Sequence, residues 1–428
     1  MAKGDRIYIA DKKTLDEVKA DTTGILAAMQ DIDSKFAGIK RYGVKINKND
    51  SNPATRVTYL YDAVGMNPAK MDFASGAFDF GDWGDIWFVK NNYPCMVKYD
   101  GTEDYKLNPN DYTLKEDGTE SDVANSDYAG NAMSAIPLVW ISQYEVGNYE
   151  YIILCNVQYD SSYHAYAHTR ADNTIMDVKY LAMFKGSYDG TRLRSLSGVQ
   201  PMYSQTAQTE INRAAANNQD GADIWRTRSW ADRNLVNCLL TVIGKSDNSQ
   251  GVFGQGNTTG YVEDASVYYG VLQTGTLNDK GQFFGYDTTV EQVKVFHIEG
   301  WWGDQWDRVV GLISDHGKVK VKMTPPYNLT GEGYTDTGID LSTLISGYVK
   351  TTAMHEYGRI PTSLGGSAST YVCDYFWMNA DIVAVAFVGG SCSSGAGCGA
   401  AFLDLDRAAS VAHWSIGAAL SCEQPSAA

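Results

Sequence analysis

Residues 297–313 read HIEGWWGDQWDRVVGLI. Trp301, Trp302 and Trp306 bring three of the largest side chains into one short run, so they are expected to pack a core, with Gly303 allowing a close backbone approach between them. His297 and Glu299 invite an acid–base reading. Their place beside core tryptophans favours satisfied core or rim residues instead.

Outward from this run, the 428-residue chain is 44% apolar and 20% charged, globular material long enough for two or three domains. Its 51 acidic and 35 basic residues give a net charge of −16, which argues against nucleic acid or an anionic membrane as partner. The start, MAKGDRIYIADKK, has no following apolar run, and no stretch approaches the roughly 20 apolar residues of a bilayer span. A soluble chain made without a secretory signal, and no membrane insertion, is expected. Seven scattered cysteines, Cys95, Cys155, Cys238, Cys373, Cys392, Cys398 and Cys422, read as free buried thiols, with Cys373 and Cys422 the pair to form if any does. Abundant Tyr (28) and Gly (42) with few Pro (10) point to short strands and ordered loops.

Leu15, Val18, Thr22, Ile25, Met29, Ile32, Phe36 and Ile39 are spaced alternately three and four apart, a heptad seam. β-branched residues at its d-type positions disfavour parallel dimers, so residues 1–40 are expected to form a coiled coil that gathers a homotrimer. An amphipathic helix lying on its own domain is the alternative, because so short a seam is marginal alone.

A small β-rich domain and linker are expected over 41–130. Strand patterns occur in TRVTYLYDAV, GDIWFVKN and CMVKYDG, and the polar stretch 106–131 reads as a loop without the ligand spacing of an EF-hand. IPLVWISQYEVGNYEYIILC reads as a strand or two leading into a helix-like run. SQTAQTEINRAAANN is a helix capped by Ser204 or Thr206. RSWADRNLVNCLLTVIGK is a helix capped by Ser229, with Leu235, Cys238, Leu239 and Ile243 on one face and Gly244 as its stop.

Three segments, WISQYEVGNYEYIILC, RTRSWADRNLVNCLL and HIEGWWGDQWDRVVGLI, resemble in order the landmarks of C-type lectin-like domains of the formylglycine-generating-enzyme type. WGDQWDRVVG is similar to that family's Gly-Asn-x-Trp-Glu-Trp-Val-x-[DG] segment, from which Asp304 and Arg308 depart. The ending VGGSCSSGAGCGAAFLDLDRAASVAHWSIGAALS resembles the family's closing region in the form found in variable proteins of diversity-generating retroelements, a group that includes phage tropism determinants. In such systems a mutagenic reverse transcriptase randomises adenines in Asn codons, so variable positions hold only what NNC or NNT codons encode. Lys, Glu, Gln, Met and Trp cannot be written that way. Between Asp374 and Glu423 there is no Lys, Glu or Gln, and only Trp377, Met378 and Trp414 break the rule. A buried Gly/Ala-rich strand pair, which needs no genetic explanation for its lack of charge, is the alternative.

The resemblance implies an α+β fold, C-type lectin-like over residues 131–428, with a variable region at about 374–421. Within it Gly389, Gly390, Gly395, Gly397 and Gly399 are expected at turns with positive φ, and Phe387, Val388, Phe402, Leu403, Leu405, Trp414 and Ile416 as anchors. Tyr375, Phe376, Asn379, Ala380, Asp381, Ala384, Ser393, Ser394, Ala396, Asp404, Asp406, Arg407, Ser410, Val411 and His413 are the candidate solvent-facing, ligand-binding positions. The function implied is that of a phage receptor-binding protein at a tail fibre or tail tip, assembled in the host cytoplasm with other virion tail proteins and binding a host cell-surface protein or glycan. A non-diversified structural virion protein and a bacterial variable ligand-binding protein are the alternatives.

No catalysis, cofactor or metal is expected. Cys392 and Cys398 invite comparison with the catalytic pair of formylglycine-generating enzymes, but Gly, Ser and Ala fill their surroundings and the accompanying Arg context is missing. His164 and His168 lie four apart without an acidic base between them, and a Tyr-rich loop is the better reading. FGQGNTTG reads as a loop, not a phosphate cradle.

Overall fold

The computed structural model describes residues 38–219 and 221–425. The heptad segment from Leu15 to Phe36 lies outside the described residues. From Arg41 onward the chain forms one compact, mostly β, α+β unit.

Three sheets make its frame. In the first, Arg41–Asn47 lies between Val57–Tyr61 and Tyr149–Cys155, and Trp140–Val146 completes the edge. In the second, Gly130–Pro137 runs between Tyr93–Lys98 and Val178–Ala182, and the chain's last strand, Leu420–Glu423, pairs with Val178–Ala182 and Trp225–Thr227. The third has nine strands, with Trp306–Asp315 near its centre. Strands from both sides of residue 130 thus share the first two sheets. The β-rich segment expected as a domain over 41–130 is part of the same unit as the rest.

The Trp230–Gly244 helix is central. Ser229 accepts from the Asp232 amide while the Asp232 carboxylate accepts from the Ser229 amide, a reciprocal cap that fixes its start. Its buried residues run almost all the way round, where one apolar face was expected. Gly244 is its last turn, and Lys245 in the left-handed region ends it. The Ala207–Ala215 helix begins at Thr206, whose hydroxyl accepts from the Thr209 amide.

Two other expectations are corrected. The helix-like run after residue 148 is a strand: Gly147 at φ 59 turns the chain back, and Tyr149–Cys155 pairs residue for residue with Trp140–Val146. GDIWFVKN is not a strand, because Trp87–Lys90 forms a helical turn that puts Phe88 and Val89 into the core. The polar stretch 106–131 also carries the Asp111–Lys115 strand, and its Asp111 and Asp117 carboxylates accept from nearby Thr groups within their own turns.

The tryptophan run forms the centre of the core, as its composition suggested. Trp301 and Trp302 are fully buried and Trp306 nearly so. Around Trp301 lies a buried charge cluster that the apolar pattern did not announce. Asp307 accepts from Lys185 Nζ at 2.7 Å and from Arg228, with Arg233 3.9 Å away, and both guanidinium groups lie over the Trp301 ring. The three cations hold the Asp307 carboxyl below its usual range despite burial. Replacing Asp307 by Asn would leave buried cations without their counter-charge. Asp307→Asn is expected to lower the unfolding free energy by about 3–5 kcal/mol, measured by urea denaturation.

Candidate ligand-binding face

The terminal segment contributes three short neighbouring strands to the nine-stranded sheet. Tyr375–Met378 runs parallel to Leu403–Leu405, which runs antiparallel to Val383–Val388. Two loop groups result, one at each end of this ribbon. Tyr375 and the 389–402 loop share one end; residues 379–382 and Asp406 share the other.

The first end is pinned by the corner at 303–306. Gly303 donates to Gly389 O, and the Cys392 amide donates to Asp304 O. Trp306 donates to Ser415 O at 2.8 Å, beside the parallel pairing of Trp306 with Ile416. Gly303 meets the close approach expected of it, since a Cβ there would lie 2.7 Å from Asn257 O. The Asp304 carboxylate, fully buried, accepts from Asn257 Nδ2 at 2.8 Å and the Leu272 amide at 2.9 Å. One corner therefore holds both the terminal segment and residues 257–272.

Residues 259–270 form an exposed wall beside the terminal loop. The Tyr261 amide donates to Cys392 O, and the Gly395 amide to Thr258 O. Trp414 stacks on Tyr261, at 4.8 Å, and on Tyr269, at 5.3 Å, with His413 tilted against it. Tyr268 and Tyr269 both have positive φ, 53° and 56°. Two bulky residues in that region cost about 1–2 kcal/mol each, offset in part by the Tyr269 ring stack and its amide bond to Asp264 O.

Of the fifteen candidate positions, Asp381, Ser393, Ala396 and Ser410 are exposed. Tyr375, Asn379, Ala380, Ser394, Asp406, Arg407, Val411 and His413 are half-buried. Phe376, Ala384 and Asp404 are corrections: alternation along its strand turns Phe376 inward, whereas Ala384 and Asp404 lie on strands buried on both faces. Burial pushes the Asp404 carboxyl well above its usual range, with Asp406 adding to the effect.

Tyr375, Ser393, Ser394, Ala396 and His413 collect at the corner end, while Asn379, Ala380, Asp381 and Asp406 collect at the far end. Arg407, Ser410 and Val411 lie on the loop that crosses back. Arg407 turns partly inward, over the Trp306 ring and 3.2 Å from Asp406. Burial, with Arg407 adding, keeps His413 below the ordinary imidazole range.

The anchors Phe387, Val388, Phe402, Leu403, Leu405 and Ile416 are buried; Trp414 is instead half-exposed on the wall. Gly389, Gly390, Gly395 and Gly399 take positive φ. Gly397 does not, and is small for another reason: a Cβ there would lie 2.9 Å from Tyr375 Cβ. Sequence reasoning missed Trp377, which is 39% exposed beside Tyr375. Its signal was present, as one of the three residues in the segment that NNC and NNT codons do not encode. The wall at 259–270 was also missed, because it lies more than a hundred residues before the terminal segment.

Arg308, one of the two departures from the family segment, ties the crossing loop down. It donates to Glu210 Oε2 at 2.7 Å, to Gln205 O and to Val411 O.

The remaining candidates are separately engaged. His164 reaches Glu356 at 2.8 Å, whereas His168 is buried on Ile136 O. Tyr112 and His297 share a 2.7 Å hydrogen bond, and Glu299 accepts from the Gly275 and Leu277 amides. All seven cysteines are free and buried, so Cys373 and Cys422 are not paired. Burial pushes the Cys392 thiol up to about 12 and raises Cys398 as well, which keeps both as thiols near neutral pH. Among the described residues no group of His, Cys, Asp and Glu is placed to hold a metal, and no helix is long and apolar enough to cross a membrane. Compared with protein-family models and with curated protein sequences, the chain matches none.

Two predictions follow from this geometry. A Cβ at Gly399 would collide with the Asp374 carboxylate, whose Oδ2 accepts from the Ala401 amide at 2.6 Å. Gly399→Ala is expected to lower stability by about 1–3 kcal/mol, while Ser393→Asn and Ala396→Asn stay within about 0.5 kcal/mol, as read by thermal unfolding.

The second concerns pH. Burial pushes Glu210 up to about 7 although Arg308 opposes it, against an ordinary value of 4.5. Between these values the folded state binds more protons than the unfolded chain, so this contribution to stability is full below about 4.5 and is lost as pH rises to about 7. Glu210→Gln is expected to flatten that slope in urea unfolding measured across the range, even though it lowers stability overall.

Proposed function

We propose that the protein is a receptor-binding variable protein, of the kind diversified by retroelements and carried at a phage tail fibre or tail tip, whose C-type lectin-like scaffold displays the terminal segment to a host cell-surface protein or glycan. One observation carries this reading. The segment divides into a buried framework, Phe387, Val388, Phe402, Leu403, Leu405 and Ile416, and exposed or half-buried positions between them whose residue types, Trp414 apart, fit NNC or NNT codons. A framework of this kind tolerates change best at its exposed loop positions, Asp381, Ser393, Ala396 and Ser410, where an altered side chain meets solvent and not core.

The half-exposed Trp377 and Trp414 fit the same reading as fixed aromatic residues among changeable neighbours. A trimer gathered by residues 1–40 would raise the avidity of three weak faces by a factor of about 10² to 10⁴ without new contacts.

The test combines genetics with binding. A reverse transcriptase near the gene, with a near-copy of the 374–421 coding segment differing at adenines, is the expected finding. Replacement of Tyr375, Asp381, Ser393 and His413 together by bulky or charged residues is expected to abolish attachment to the host while the oligomer persists in light scattering. Attachment unchanged by those replacements, in a gene without the repeat, would favour a structural virion protein.

A further inference from the structure

The wall at residues 259–270 stands outside the segment that the proposed mutagenesis would change, yet it shares the same face. Four of its apolar side chains are left in solvent: Tyr261 at 40%, Val262 at 49%, Val267 at 50% and Tyr268 at 41% exposure. Large apolar groups gathered on one exposed loop mark a contact surface more often than scattered ones do. Tyrosine is suited to that role, since it offers a large contact area at the entropy cost of two side-chain torsions.

The wall is also held in place before any ligand arrives. Tyr269 and Trp414 are stacked, Tyr203 packs edge-on against both Tyr268 and Tyr269, and the buried Asp304 carboxylate fixes the loop's base through Asn257. Rings held this way lose little freedom on binding.

Charge indicates what covers the wall. There is no Lys or Arg from residue 254 to residue 279, and the exposed Glu263 and Asp264 sit among the apolar residues. The adjoining turn, joined through the Thr258 and Thr259 amides to Thr289 O, adds exposed Asp287. On the terminal segment, Arg407 is the one Lys or Arg between Asp374 and Glu423, and it is paired with Asp406. The face as a whole is anionic and aromatic, and complementary charge selects the partner.

Building on the display reading above, we propose that residues 259–270 and Trp414 form a fixed aromatic wall of the binding face that engages a cationic protein surface, one presenting Arg or Lys beside apolar side chains. The changeable loops then tune specificity around a constant anchor. Arg fits best, since its planar guanidinium can lie on an exposed Tyr ring while pairing with Glu263.

The test uses the full chain as bait for a random peptide library displayed on filamentous phage. Selected peptides are expected to be enriched in Arg or Lys beside apolar residues, and synthetic copies to bind about tenfold more weakly to Tyr268→Ser and to Glu263→Lys. Binding should also weaken as salt rises from about 0.05 to about 0.5 M. Glu263 is solvent-exposed, so Glu263→Lys keeps the test valid should Tyr268→Ser disturb the loop.

Peptides without cationic enrichment, no binders at all, binding only to immobilised glycans, or binding indifferent to both substitutions would overturn the proposal. The same peptides measured on Tyr375→Ala and His413→Ala separate the two readings. Loss on those variants with the wall variants silent overturns the wall and leaves the display reading standing. Loss on the wall variants alone supports the wall and removes the display role of the terminal segment.

Discussion

A single buried carboxylate organises the middle of this protein. Asp307 faces Lys185 from one part of the chain and Arg228 and Arg233 from the start of the central helix, with Trp301 filling the space beneath the guanidinium groups. Removing such charges from water is costly, and further hydrogen bonds offset part of that cost: Arg233 also donates to Trp301 O, Lys185 to Gln305 O and Arg228 to Ala182 O, while Arg228 Nε and Arg233 Nε stay without a partner among the described residues. Those bonds fix the central helix, the second sheet and the tryptophan run to one another. The 303–306 corner inherits its position from this cluster, and the terminal segment inherits its own from the corner.

On the proposed display reading, the arrangement would separate stability from the changeable positions. Much of what fixes the terminal loops, the Gly303 amide, the Asp304 carbonyl and the Arg308 guanidinium, belongs to residues 303–308, and Thr258, Asn237 and Asp374 hold the 389–402 loop from outside it as well. The loops supply mainly backbone amides and carbonyls to these contacts, groups that every residue type but proline possesses. Side-chain identity at Ser393 or Ala396 is therefore nearly irrelevant to the fold.

Much of the fold was legible in the sequence, for identifiable reasons. Helix starts announced themselves through Thr206 and Ser229, since capping is a local event. Trp301, Trp302 and Trp306 announced a core through size alone. What failed was non-local. The Tyr149–Cys155 strand looked helical because its apolar run lacks alternation, and only its pairing on both edges shows why: it lies inside a sheet. Joining residues 41–130 to the rest depends on strand pairings between distant segments, which local patterns do not encode. In the candidate face, Phe376, Ala384 and Asp404 were misplaced because residue type alone does not show that Phe376 faces inward or that the strands of Ala384 and Asp404 are covered on both faces. The glycines and aliphatic anchors were placed well because backbone geometry and burial do constrain residue type.

The ribbon formed by the terminal strands sets a length scale. Its two loop groups are separated by the Tyr375–Met378 strand, about three steps of 3.3 Å, or roughly 10 Å. A small solute resting at Tyr375 would never sense what stands at Asp381. On the proposed display reading, a ligand that reads both ends would need a footprint wider than the ribbon, and the two groups would act as independent dials: one could drift while contact is kept through the other.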